Sequence, residues 1–120
     1  MPNALKPRLR VLHGPEIALG PGKVALLDAI EATGTLAGAA QALGMSYMRA
    51  WKLVRTMNAC FREPLVAASR GGTGHGKASL TPTGLRIREL YRAMEVACVQ
   101  AAQPAWEELA SHLAEADDAL

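Results

Sequence analysis

Apolar and polar positions along the chain change period several times, and each change marks an element. Residues 8–12, Arg-Leu-Arg-Val-Leu, alternate and predict a short strand. Residues 13–22 carry repeated Gly and Pro punctuation and read as a loop. From 23 to 33, Val24, Leu27 and Ile30 recur every three residues, which predicts a helix that Gly34 ends. Thr35 is placed to cap a second helix, with Leu36, Ala39, Ala40 and Leu43 on one face and Gly44 as its stop. Ser46 caps a third, which runs to about Cys60 ahead of Pro64. Two short helices joined by Leu43-Gly44-Met45 form a helix-turn-helix, and Gly38, Ala39, Ala40 and Ala42 let them approach closely.

Residues 65–69 and 78–80 read as two strands around Arg70-Gly-Gly-Thr-Gly-His-Gly-Lys77, a glycine-rich tip. Following a helix-turn-helix, such a hairpin is a wing. Thr81 then caps a long helix with Pro82 in its first turn, extending to about Gln103. Ile87, Leu90, Tyr91, Met94, Ala97, Cys98 and Ala101 form one stripe on it, while Leu85, Val96 and Val99 fall on another side. A helix apolar on two sides needs two partners, its own domain and a second chain. Pro104 is expected to restart a short amphipathic segment with Trp106, Leu109 and Leu113 on one face, and residues 115–120 to fray. The predicted fold is mainly α with a small β wing: a winged helix-turn-helix over 1–80, then a helical dimerisation element over 81–120.

On a helical wheel the third helix divides sharply. Tyr47, Ala50, Trp51, Val54, Met57 and Phe61 share one arc, with Leu53 beside it. Met48, Arg49, Lys52, Arg55 and Thr56 share the opposite arc, which has no acid. A major groove admits one α-helix, and Arg or Lys reaches both guanine edges and phosphates there. Arg49 and Lys52, near the helix start, are candidate groove contacts, with Met48 as an apolar base-edge contact. Arg55, Arg70 and Lys77 are candidate phosphate contacts. His75 adds charge to the tip at lower pH, and the hydroxyl of Tyr47 is placed to reach a phosphate.

The charge distribution supports this assignment. The chain has 120 residues and a formal net charge of only +2. Its middle third, residues 44–88, carries Arg49, Lys52, Arg55, Arg62, Arg70, Lys77, Arg86 and Arg88 against Glu63 alone. Beyond it, Arg92 faces Glu89, Glu95, Glu107, Glu108, Glu115, Asp117 and Asp118. A basic middle with an acidic tail points to a polyanion site in the middle.

Other chemistries find little support. Gly71, Gly76 and Lys77 fit part of a P-loop, but Ala78 stands where Ser or Thr is needed and Pro82 follows too soon for the loop to open a helix there. Cys60 and Cys98 make no disulfide framework or metal motif and are expected to be reduced. His13, His75 and His112 are scattered. No paired catalytic carboxylates or nucleophile elbow stand out, so no enzyme is expected. No secretory signal or membrane span is readable, which leads us to expect a cytoplasmic protein.

Gly44-Met-Ser-Tyr-Met-Arg-Ala-Trp51, then Met57-Asn58, the glycine-rich loop and Leu80-Thr81-x-x-Gly84 resemble the N-terminal DNA-binding domain of ModE-type molybdate-responsive regulators. The order and spacing agree over about residues 20–100. The Leu-Thr-x-x-Gly and Ala-Ala-x-x-Leu-Gly strings are also similar, less specifically, to LysR-type regulators. The resemblance implies a winged helix-turn-helix that dimerises through its long helix and binds an inverted-repeat operator in double-stranded DNA. It implies DNA contacts at Thr35, at Ser46 and Tyr47, at the variable position held here by Arg49, and along the basic wing. On the long helix, Ile87, Leu90, Tyr91, Met94, Cys98 and Ala101 of the apolar stripe are the candidate dimerisation residues.

Regulators of that type hold their oxyanion-sensing domains after the dimer helix, about where this sequence stops, and the anion motif is not found here. The expectation is therefore a homodimeric regulator with no cofactor of its own, which either senses nothing or has a separate partner protein as its sensor. Two alternatives stand beside it: a protein-interaction module on the same scaffold, and a stand-alone molybdate or tungstate sensor.

Overall fold

The structure, a computed structural model, describes residues 3–69 and 76–115. Its element order is β1 (Val11–His13), β2 (Glu16–Leu19), α1 (Pro21–Thr33), α2 (Leu36–Ala42), α3 (Tyr47–Cys60), β3 (Val66–Ala68), β4 (Ala78–Leu80) and α4 (Pro82–Ala110). This is the mainly α winged-helix architecture that the sequence predicts, with a long C-terminal helix.

The helix boundaries follow from local chemistry. Gly34 ends α1 in the left-handed region at φ 76°, and Gly44 follows α2 at φ 67°. The Thr35, Ser46 and Thr81 hydroxyls accept from the backbone N–H groups of Gly38, Arg49 and Gly84, so three helices begin on side-chain caps. Thr81 also donates to the Pro64 carbonyl at 2.7 Å, which ties the start of α4 to the segment leading into β3.

Two expectations change. The segment 13–22 is not all loop: β2 pairs antiparallel with β1, Leu12 opposite Ile17 and His13 opposite Glu16. Gly14, at φ 60°, and Pro15 make the two-residue turn. The Gly-Pro pair reads as loop punctuation, yet it is the hairpin's own turn. In addition, α4 does not stop before Pro104 but runs through it to Ala110. The proline removes one hydrogen bond to the turn before it, and both Pro104 and Gln100 are exposed, so water can serve the freed carbonyl.

The core lies between α1, α2, α3 and the wing. Leu26, Leu27 and Ile30 of α1, Met57 of α3 and Leu65 are fully buried, joined by Val24 and Tyr91. No polar or charged residue is buried among the described residues, apart from the phenol of Tyr91. That phenol donates to the Leu9 carbonyl at 2.8 Å. Burial pushes the Tyr91 pKa above its ordinary 10.0, with Glu95 acting in the same direction.

Candidate nucleic-acid interface

The interface is built on α3, whose inward side fixes its outward side. Ala50, Val54 and Met57 are buried, and Trp51, Leu53 and Phe61 pack partly against the same core. Three anchors at helical spacing leave no freedom to roll, so the opposite arc must face solvent. Met48, Arg49, Lys52 and Arg55 all lie there, exposed. None of the ion pairs among the described residues involves Arg49, Lys52 or Arg55. The Arg55 guanidinium sits over the Trp51 ring, 5.2 Å from its centroid. This cation–π contact orders a long side chain that would otherwise sweep freely.

The other expected residues divide. Thr35 and Ser46 sit at the starts of α2 and α3 with their hydroxyl oxygens engaged as caps at 2.9 and 3.1 Å. A hydroxyl that accepts from the backbone still has its own proton to donate to a phosphate oxygen. Tyr47 departs from the wheel: placed on the buried arc by periodicity, it is 52% exposed. The first buried residue of α3 is Ala50, so the opening turn stands clear of the core and its ring is free to meet a ligand.

The wing pairs Val66 with Leu80, Ala67 with Ser79 and Ala68 with Ala78. The Ser69 N–H to Lys77 carbonyl bond, 2.9 Å, extends the ladder toward the tip. Lys77 is exposed at its base. Arg70 and His75 lie outside the described residues. The wing is fixed to the body by contacts periodicity does not show. The Asn58 side chain accepts from the Leu65 and Val66 N–H groups at 2.9 and 3.1 Å, and its amide donates to the Val66 carbonyl at 3.0 Å. The signal was a lone amide in the inward half of α3, adjacent to buried Met57.

The stripe on α4 also divides. Leu90, Met94, Cys98 and Ala101 are exposed. Tyr91 is 1% exposed and bonded to Leu9, so it belongs to the domain's own core and is withdrawn from the dimerisation set. Ile87 packs partly against that core as well. The outward stripe instead continues through Ala105 to Leu109, which is 55% exposed.

A third feature was not foreseen. Arg88 meets Glu31 at 2.6 Å and Asp28 at 3.3 Å, and Arg92 meets Asp28 at 2.6 Å and Glu95 at 3.0 Å. The pairs with Asp28 and Glu31 join α1 to the start of α4, and the neighbouring carboxylates raise both guanidinium pKa values further, chiefly Glu31 for Arg88 and Glu95 for Arg92.

No protein-family model matches the chain. Its sequence is similar to the molybdenum-pterin-binding protein MopB of Rhodobacter capsulatus, 41% identical over 85 residues, covering 71% of this chain and 32% of MopB. It is 42% identical over 79 residues to the molybdenum transport protein ModE of Azotobacter vinelandii, covering 66% and 29%. It is 37% identical over 71 residues to the DNA-binding transcriptional dual regulator ModE of Escherichia coli K12, covering 59% and 27%. The chain spans about a third of the length of the curated relatives it matches. The likeness to ModE-type regulators drawn from the sequence motifs holds over that region.

Proposed function

We propose that this chain is the DNA-binding and dimerising part of a ModE-like transcriptional regulator, a soluble cytoplasmic homodimer that recognises an inverted repeat. The observation that carries the reading is the outward face of α3: exposed Arg49, Lys52 and Arg55, with no acid on the helix and its inward face locked in the core. A relative of similar sequence named as a DNA-binding regulator supports it. In this reading residues 1–80 form the DNA-binding unit and 81–120 the dimer element.

Arg49 and Lys52 read base edges from the first turns of α3, with Met48 alongside. Thr35, Ser46, Tyr47, Arg55 and Lys77 hold the backbone, together with Arg70 and His75 of the wing. Two recognition helices of a dimer then sit in successive major grooves, about 34 Å apart on one duplex face. No catalytic step is assigned to the chain. No oxyanion site is assigned to this chain in this reading.

Selection from a random duplex pool tests the reading. An enriched inverted repeat supports it. Recovery of unrelated sequences at equal, salt-sensitive affinity would reduce the chain to a non-specific polycation.

A further inference from the structure

Among the described residues, the buried anchors of α4 lie near its start. Gly84 and Tyr91 are its only buried residues. At Gly84 the helix lies so close to the wing strand that a Cβ would overlap the Leu65 carbonyl. At Tyr91 the ring enters the core. These two anchors are two helical turns apart on one line of the helix. Anchors only about 10 Å apart hold the axis no more tightly than each anchor is itself held: about 2 Å of sideways slack at either turns it by about 10°. Ile87 packs partly against the core beside that line, and on the flank toward α1 the sideways swing is opposed by ionic contacts: Asp28 bridges Arg88 and Arg92, and Glu31 takes Arg88 again. Asp28 and Glu31 lie one turn apart on α1, and Arg88 and Arg92 one turn apart on α4, so the four charges make a two-by-two clamp rather than a single pair.

We propose that Asp28 and Glu31 on α1, with Arg88 and Arg92 on α4, are positioning residues that set the angle at which α4 leaves the winged-helix body, and thereby the half-site spacing a dimer accepts. The inference rests on the dimeric, DNA-binding reading above. Lever length supplies the magnitude. From Arg92 to Ala110 the helix extends about 27 Å. Rocking by 10° moves its far end by about 5 Å, more than the ~3.4 Å rise of one base pair. A body that rocks freely on the dimer helix accepts half-sites one base pair nearer or further apart, whereas a clamped one does not. The contacts on DNA bases are untouched by this clamp, so it governs spacing and leaves half-site sequence alone.

The test neutralises the clamp without changing its shape: Asp28→Asn with Glu31→Gln. The pairs are partly exposed, so the double variant is expected to fold with a thermal midpoint within a few degrees of the parent. Two readouts are needed. In the first, binding is compared on the selected inverted repeat and on repeats one base pair longer and shorter. The parent is expected to discriminate by about tenfold or more, which is the scale of one mismatched contact. The variant is expected to lose most of that preference while it selects the same half-site sequence.

The second readout needs no DNA. Cys60 at the end of α3 and a Ser111→Cys thiol are spin-labelled in a Cys98→Ser background, diluted with unlabelled protein so that distances are within one chain. The distance distribution is expected to be narrow in the parent and at least about twice as wide in D28N/E31Q. Restoring the pairing with reversed charges (Asp28→Arg, Glu31→Arg, Arg88→Glu, Arg92→Glu) is expected to narrow it again. An unchanged width on neutralisation overturns the clamp, whatever happens on DNA. A wider distribution with unaltered spacer preference overturns its role in spacing. A parent that selects no inverted repeat defeats the DNA reading itself, and the spacing claim with it.

Discussion

The helices α3 and α4 solve opposite problems. α3 is anchored by Ala50, Val54 and Met57 within its middle turns, and what it leaves outside is charge. Among the described residues α4 buries only Gly84 and Tyr91, and much of what it leaves outside is apolar: Leu90, Met94, Val96 and Leu109, each more than 40% exposed. An exposed basic face is stable in water and says only that a polyanion would be welcome. An exposed apolar stripe at regular spacing is costly and calls for a partner. In the proposed reading, the rigid setting of α3 fixes the recognition surface before DNA arrives, and the length of α4 carries the dimer interface away from it.

The contrast is broken most severely at the root of α4. Gly84→Val would drive a side chain into the Leu65 backbone, which cannot yield as a flexible side chain would. We expect a loss of about 3 kcal/mol or more of folding stability, read by urea denaturation, with α3 losing its support as a consequence. Farther along the same helix the outcome should be different in kind. Met94→Glu places charge on the exposed stripe, 43% accessible in the single chain, and should weaken dimerisation by about 100-fold, or ~2.7 kcal/mol. Sedimentation at micromolar concentration would show this, while the monomer's own fold persists. An unchanged dimer would remove the stripe from the interface.

On α3, Arg49→Ala should leave the thermal midpoint within a degree or two. It should cost about 1–3 kcal/mol on the cognate duplex and little on unrelated DNA. Equal losses on both would make Arg49 a phosphate contact only.

The smallest effect lies where the two regions meet. Tyr91→Phe removes one hydrogen bond to Leu9, worth about 1 kcal/mol. It also removes a pH dependence. The folded state holds the phenolic proton above the ordinary 10.0, so the unfolded chain ionises first as pH rises. This contribution to stability is complete below pH 10 and lost above it as pH rises through the folded value. The parent should therefore destabilise above pH 10 more steeply than Tyr91→Phe, in denaturation curves taken at a series of alkaline pH values.

Legibility in the sequence followed the range of the interaction. Caps and stops are written within four residues, and Thr35, Ser46, Thr81, Gly34 and Gly44 all act where the sequence places them. The charged arc of α3 was legible because one helix period separates it from the core. β2 was hidden because its turn, Gly14-Pro15, uses the residues that also mark irregular loops. Pro104 concealed the continuity of α4 because the cost of an internal proline depends on whether water reaches the freed carbonyl, which is a tertiary fact. Tyr91 was assigned to the wrong side because a helix apolar on two sides does not say which side its own domain takes. The clamp between Asp28 and Arg88 joins residues 60 apart and leaves no periodic trace.

Sequence-specific binding of double-stranded DNA through the outward face of α3 is the central claim. The most direct measurement is fluorescence anisotropy of the selected inverted repeat against a shuffled duplex, across a salt series. We predict a preference of about 10³-fold or more, with affinity for both falling steeply as added salt lowers the entropic gain of releasing counterions from the DNA. Equal affinity for the two duplexes, or no binding to either at low salt, would contradict it.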